Sequence, residues 1–326
     1  MCVMEAGLGF SPEVFARRRA RVRERLAGGV MILPSAPIVK RSRDTEFRYR
    51  PDSELYYLTG SVHPGVVAVL RDADEDPLVL FVPDKDPKKE VWFGPRPGPD
   101  EAADLLGADA VHPLGELEER LPDLIRDHPK AYFRLGEPSD LRRLILRELT
   151  WARNRGQRKG QGLRGVIDPG EILDDLRLVK DPDEIELMRK ATALTVAGVR
   201  DTLSGFHPGL GEWEVEALLE SSFRRRGAMG PAFPTIVGSG ENGCVLHYLE
   251  NRDVIGENAL VLLDGGAEFG FYAGDVTRTF PAKGRFDPLQ RDIYGLVLDA
   301  HSAALALVRP GSTVADVHEA VRRCFA

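Results

Sequence analysis

Cysteine is scarce in this chain: Cys2, Cys244 and Cys324 stand far apart among 326 residues, and no Cys-x-x-Cys pair occurs. That excludes a disulfide framework and a zinc knuckle, and it points to a reducing, cytoplasmic setting. Long apolar runs are also missing. No stretch approaches the ~20 apolar residues of a membrane-spanning helix, so no membrane partner is expected. Met1 to Phe10 is too weakly apolar for a secretory signal and lacks its basic lead. An excess of positive charge is absent too. With 44 basic against 51 acidic side chains the formal net charge is -7, which argues against nonspecific binding of nucleic acid. The one basic cluster, RRRARVRER within the helix-like stretch Pro12 to Leu26, has no interleaved aromatics and reads as a solvated helix face.

What is present is ordinary globular material, 43% hydrophobic and 29% charged, enough for two cores. At roughly 150 residues per domain, two domains are expected. The first half alternates short β-like runs (Val30 to Leu33, Leu55 to Thr59, Val66 to Leu70, Leu78 to Val82) with helical stretches near Asp100 to Leu106, Leu117 to Arg126 and Leu141 to Thr150. Strands mixed with helices predict an α/β domain. Arg153 to Gly165 is basic, glycine-rich and nearly free of large apolar residues, and reads as an exposed connector. The expected boundaries are 10–165 and 171–326. In the second half Asp181, Pro182 and Glu184 make a helix start with a capping box. A second helix spans Glu212 to Arg226. β-like runs follow at Pro234 to Val237, Cys244 to Tyr248, Ala259 to Leu263 and Tyr272 to Phe280, then helix from Pro288 to Val308 and again after Thr313. Helices followed by antiparallel strands predict an α+β domain.

The densest chemistry lies in ALVLLDGGAEFGFYAGDVTRTF, Ala259 to Phe280. A two-residue turn at Phe269-Gly270 would pair Glu268 with Phe271 and set Asp264 directly opposite Asp275, their Cβ atoms about 5 Å apart. Two ionised carboxylates at that distance repel. They can share a proton, be neutralised by Arg278, or bind divalent cations through their oxygens; a slipped register would leave one of them in a loop. The residues alone leave these open.

The D-G-G … G-D-V-T-R-T arrangement around Asp264 and Asp275 resembles the metal-binding hairpin of the pita-bread metallopeptidases. The segment V-G-S-G-E-N-G-C-V-L-H-Y, Val237 to Tyr248, is similar to the aminopeptidase P branch, as are D-T-E-F-R-Y-R-P-D-S-E-L-Y-Y-L-T-G, Asp44 to Gly60, and V-W-F-G, Val91 to Gly94. The resemblance covers nearly the whole chain. It implies a creatinase-like α/β amino-terminal domain followed by an incomplete α+β pita-bread domain. It further implies that Asp264 and Asp275 bind two divalent ions, usually manganese, which activate a hydroxide and polarise the scissile carbonyl. The substrates implied are peptides with proline at position two, and the assembly is expected to be a homo-oligomer. His247 is implied as a catalytic and substrate-binding residue at the edge of the site. Without the motif, a lone histidine in a β-like run would more often be a satisfied, partly buried side chain. A prolidase limited to dipeptides, or a non-catalytic protein using the first domain for self-association, are the rival readings.

Two features are decoys. Gly238-Ser-Gly240-Glu-Asn-Gly243 matches G-x-G-x-x-G, but a β-like segment follows where a dinucleotide site needs a helix. Trp92 reads as a core or subunit-contact aromatic. The remaining ligands that the resemblance implies, a histidine and two glutamates, come from the second half of the pita-bread domain, and residues 1–326 are expected to stop short of them. His301, His318 and Glu319 lie in helical patterns that the family does not use for ligation. Two carboxylates cannot hold two divalent ions tightly. Residues 1–326 alone are therefore expected to lack peptidase activity; a fragment, a truncated product and a pseudoenzyme all fit.

Overall fold

A computed structural model describes residues 9–72, 75–136 and 140–326; Cys2 and the rest of the first eight residues lie outside the described part. The chain divides into two compact units, Met1–Ile185 and Glu186–Ala326.

The first unit is built on β1 (Val30–Pro34), where a run of five residues can be buried on both faces. Met31 and Leu33 pack into one cluster, Val30 and Ile32 into another. This period of two on a strand covered from both sides explains why the run is continuously apolar. β1 pairs antiparallel with β2 (Val67–Arg71) and parallel with β5 (Lys130–Tyr132). With β3 (Leu78–Val82), β4 (Ala110–Pro113) and β6 (Gly165–Ile167), the sheet runs β4-β3-β2-β1-β5-β6. On one face lie α1 (Pro12–Leu26), α2 (Ser53–Thr59), α4 (Pro99–Leu106) and α7 (Gly170–Leu178). On the other lie α5 (Leu117–Ile125) and α6 (Asp140–Asn154). The short α3 (Pro87–Phe93) buries none of its residues.

Three expectations for this unit are corrected, and a fourth in part. Leu55 to Thr59 is helical, within α2: the Asp52 carboxylate accepts from the Glu54 and Leu55 amides, and Gly60 closes the helix at φ 72°. Six of its seven residues are buried, so no helical period shows in the sequence. The arginine cluster on α1 is not wholly solvated. Arg18 is 1% exposed, its guanidinium 4.4 Å from the Phe10 ring centre and 4.2 Å from that of Tyr57, with Asp181 and Glu184 oxygens at 3.6 Å. Trp92 is 83% exposed and therefore not a core residue. The segment 153–165 is largely exposed as expected but not loose: Gly162 donates to the Arg126 carbonyl at 2.6 Å, and Leu163 is buried in the core of this unit. The division between the two compact units falls after Ile185.

That boundary lies inside α8 (Pro182–Gly205), whose start carries the anticipated reciprocal bonds between Asp181 and Glu184. In the second unit α8 and α9 (Glu212–Arg225) contribute Val199, Val215, Leu219 and Phe223 to a core shared with Val237, Val261 and Leu263. The strands form two three-stranded sheets. One comprises β7 (Gly230–Pro231), β10 (Ala267–Phe269) and β11 (Tyr272–Ala273); the other comprises β8 (Ile236–Ser239), β9 (Leu260–Gly265) and β12 (Val276–Pro281). α10 (Pro288–Ala306) and α11 (Val314–Cys324) follow, each opened by a capping box at Asp287 and Thr313. Along α10, Leu296 and Val297 are exposed and Ala300 is buried. Among the described residues no helix is long and apolar enough to cross a membrane.

Candidate metal centre

Strand β9 alternates strictly: Val261, Leu263 and Gly265 are buried, while Leu260, Leu262 and Asp264 are half-buried. The apolar set faces the helices, which leaves Asp264 on the open side. Two glycines follow it because the backbone is pressed inward. A side chain at Gly265 would meet Leu219 Cδ2 at 2.6 Å, and one at Gly266 would meet the Gly274 carbonyl oxygen at 1.8 Å. Gly274 is wedged in turn against α8, where a Cβ would lie 2.3 Å from Thr195 Oγ1 and 2.8 Å from the Ala191 carbonyl oxygen. Thr195 also bonds the Ala267 amide at 2.9 Å. The glycines of the D-G-G … G-D signature thus let two strands and a helix close up beside the carboxylates.

The register differs from the expected one. Phe269 pairs with Tyr272 and Glu268 with Ala273, so the turn is Gly270-Phe271. Both residues are left-handed, at φ 57° and 65°, as the two central positions of a type I′ hairpin require. The glycine occupies the first central position, not the second, which shifts the pairing. Asp264 consequently faces Thr277, and Val276 faces Gly265. The Gly274 amide bonds the Ala267 carbonyl at 2.9 Å in the same register. Asp275 falls across from Gly266, two positions before Thr277. The two carboxylates are therefore diagonal neighbours on one side of the ladder, about 7–8 Å apart along the backbone rather than in direct opposition. Diagonal placement relieves the repulsion that direct pairing would impose and leaves room between the carboxylates.

The neighbouring side chains narrow the alternatives. Thr277 Oγ1 donates to Asp264 Oδ1 at 2.7 Å and fixes that carboxylate's orientation. Arg278 pairs with Leu263, on the side away from Asp264, and its guanidinium donates to the Thr277 carbonyl at 2.7 Å. Neutralisation by Arg278 is thereby excluded. Oxygen donors on an open face suit a divalent cation, and Asp264 and Asp275 fit as two ligands of such a centre. Among the described residues no three His, Cys, Asp or Glu groups gather closely enough to hold a metal ion. Glu319 is engaged with Arg322 and Arg323 at 2.8 and 3.1 Å.

His247 is exposed, but not on a strand. The expected β-run Cys244 to Tyr248 is a 3-10 turn, Gly240–Cys244, followed by a bend. A side chain on Gly238 would sit 2.8 Å from Gly243, so this glycine pair lets the turn fold back on β8. The G-x-G-x-x-G spacing is thus a backbone-packing feature and opens no long helix. The turn is organised by a residue that carries no signature in the sequence, Glu212, the first residue of α9. Its fully buried carboxylate accepts from the Ser239 amide at 2.7 Å, Ser239 Oγ at 2.8 Å, Tyr248 OH at 2.8 Å and the Asp253 amide at 3.0 Å. Asn242 Nδ2 lies within hydrogen-bonding distance of Glu212, Tyr248 OH and Asp253. Burial pushes the Glu212 carboxyl up, yet the Asp253 and Ser239 amides with the Ser239 and Asn242 side chains outweigh it and hold the group below the usual carboxylate range.

Residues 186–326 match metallopeptidase family M24, and residues 15–132 match the aminopeptidase P amino-terminal domain. The chain is 36% identical over 303 residues to the Xaa-Pro aminopeptidase of Escherichia coli, covering 92% of this chain and 69% of that protein. It belongs to family M24, in the Xaa-Pro aminopeptidase lineage. Mouse Xaa-Pro aminopeptidase 3 is 33% identical, with 57% of its length covered. The structure of Pseudomonas aeruginosa aminopeptidase PepP superposes with a TM-score of 0.92 at 38% identity, covering 97% of this chain and 72% of that one. Zinc-substituted E. coli aminopeptidase P in complex with product gives 0.92 at 36% identity over the same shares. The family is one of metal-dependent hydrolases, and the fold is the anticipated amino-terminal domain followed by pita-bread secondary structure.

Proposed function

We propose that Asp264 and Asp275 are ligands of a dinuclear centre in an Xaa-Pro aminopeptidase, that manganese is the metal, and that His247 contacts a peptide with proline at position two. The supporting observation is the placement of both carboxylates on the open side of one hairpin, backed by glycines whose Cβ positions are crowded by neighbouring atoms. When bound, a pair of divalent ions supplies an activated water at neutral pH and polarisation of the scissile carbonyl. The protein's own part is orientation. Thr277 holds Asp264 Oδ1 and leaves the second oxygen free to ligate. Asp275 is exposed at the strand entrance, and His247 offers an imidazole hydrogen bond from an anchored turn. The sparse cysteines suit a reducing, cytoplasmic setting, and the exposed Trp92 suits a subunit contact within a homo-oligomer.

Residues 1–326 alone supply two ligands, whereas each ion needs about four to six. We therefore expect weak metal binding and no appreciable turnover from these residues by themselves. The test is calorimetric titration of manganese into residues 1–326, with an Xaa-Pro peptide hydrolysis assay alongside. Binding should be weak, and Asp264→Asn or Asp275→Asn should abolish it. Unchanged binding in both variants would sink the ligand assignment, and rapid turnover lost in Asp264→Asn would show that two carboxylates suffice.

A further inference from the structure

The geometry points to Glu212 as a positioning residue: its buried carboxylate holds the turn bearing His247 in one conformation. The inference deepens the proposed function, since it rests on His247 being a substrate contact. It is independent of the metal ligands.

The four strong bonds to Glu212 come from Ser239, Tyr248 and Asp253, and Asn242 adds a fifth donor. These residues bracket the 239–253 segment at both ends and at two points between. What lies inside the bracket is exposed: Cys244, Val245, Leu246 and His247 all face solvent, and His247 immediately precedes the buried Tyr248. An exposed turn that packs almost no apolar surface has little hydrophobic reason to stay ordered. Its order comes instead from the carboxylate.

The chemistry requires an ionised acid. Every contacting group is a donor, and a carboxylate is the side chain that accepts only, with about four lone-pair sites on two oxygens. Gln at the same place would turn an NH2 group toward either the Ser239 or the Asp253 donors. No Lys or Arg contributes to these bonds. The charge is met by neutral donors at the amino terminus of α9, where the helix dipole favours an anion. A buried carboxylate satisfied in this way is costly to disturb and specifies one geometry. The far side of the segment has its own anchor. Asn251 is buried, accepts from the Val237 amide at 2.9 Å and donates to the Thr235 carbonyl at 2.8 Å. Loss of Glu212 should therefore loosen residues 239–248 while Asn251 keeps its place.

The experiment is hydrogen–deuterium exchange on residues 1–326 for the parent, Glu212→Gln and Tyr248→Phe. Exchange in the 239–248 segment should quicken about tenfold or more in Glu212→Gln, and by less in Tyr248→Phe, with β9 and β12 unchanged. Unchanged exchange in that segment would overturn the inference, and so would equal loosening throughout the second unit. Where Glu212→Gln does not fold, Tyr248→Phe decides by the same criterion. A fluorescence anisotropy titration with a labelled Ala-Pro-containing peptide separates this inference from the reading it rests on. If both stand, Glu212→Gln and His247→Ala weaken binding to a similar extent, and the double variant is no worse than either. If His247→Ala binds like the parent while the turn still loosens, the role of His247 falls and the anchoring by Glu212 stands. If the two losses add fully, Glu212 does not act through His247.

Discussion

Gly266→Ala probes the closest backbone approach in the hairpin. The new Cβ would lie 1.8 Å from the Gly274 carbonyl oxygen, 2.7 Å from its carbon and 3.0 Å from Phe233 Cε1. Relief demands a shift of well over an ångström, and the first obstacle is backbone. Gly274 is itself packed closely against α8, where a Cβ added to it would lie 2.3 Å from Thr195 Oγ1 and 2.8 Å from the Ala191 carbonyl oxygen. Thr195 is held by the Ala191 carbonyl and the Ala267 amide, each at 2.9 Å. Overpacking usually costs about 1–3 kcal/mol, and a site closed on both sides belongs at the upper end, about 3 kcal/mol. In a unit of this size that lowers Tm by about 6–12 °C. Gly295→Ala in α10 is the control: nothing lies within 4 Å of its Cβ, and the helix should gain about 0.5–1 kcal/mol. Thermal and urea unfolding measure both. A Gly266→Ala variant within about 0.5 kcal/mol of the parent would show that sterics do not explain the glycines beside the aspartates.

Glu212 also sets an acid limb. Its folded-state carboxyl lies below the ordinary 4.5, so its contribution is present above the unfolded value and is lost as pH falls through the folded one. The stability gap between parent and Glu212→Gln, read from urea midpoints, should therefore be wide at neutral pH and narrow below the ordinary carboxylate value; a gap independent of pH refutes the linkage. Arg18→Ala removes a guanidinium held between two rings and beside two carboxylates, and should destabilise the first unit by about 3–5 kcal/mol. A denaturant-measured loss under about 1 kcal/mol would class Arg18 with surface charges.

Much of the fold was legible because local signals agreed with it. The runs at Val30, Val66 and Leu78 are strands, and helices open at Asp181 and after Thr313 as read. Misreadings cluster where burial or backbone geometry overrides pattern. Leu55 to Thr59 looked extended because a helix buried on nearly every side shows no period. The strands at Ala110, Lys130 and Gly165 are three or four residues long and are defined by their partners. Thr277 was overlooked because a glycine one place earlier in the turn than expected moved the register. No spacing rule joins Glu212 to Ser239, Tyr248 and Asp253, which meet only through the packing of α9 against β8.

The order of residues alone determined the lineage, the two-part architecture and the candidate ligands, because a close run of aspartates and glycines is a chemical pattern that needs no coordinates to read. Tertiary structure decided the rest. It made Asp264 and Asp275 diagonal neighbours, turned Arg278 away, and fastened the His247 turn to a buried carboxylate. Those outcomes depend on which backbone atoms touch across strands and helices far apart in the chain, and steric contact of that kind is settled only when the chain closes on itself.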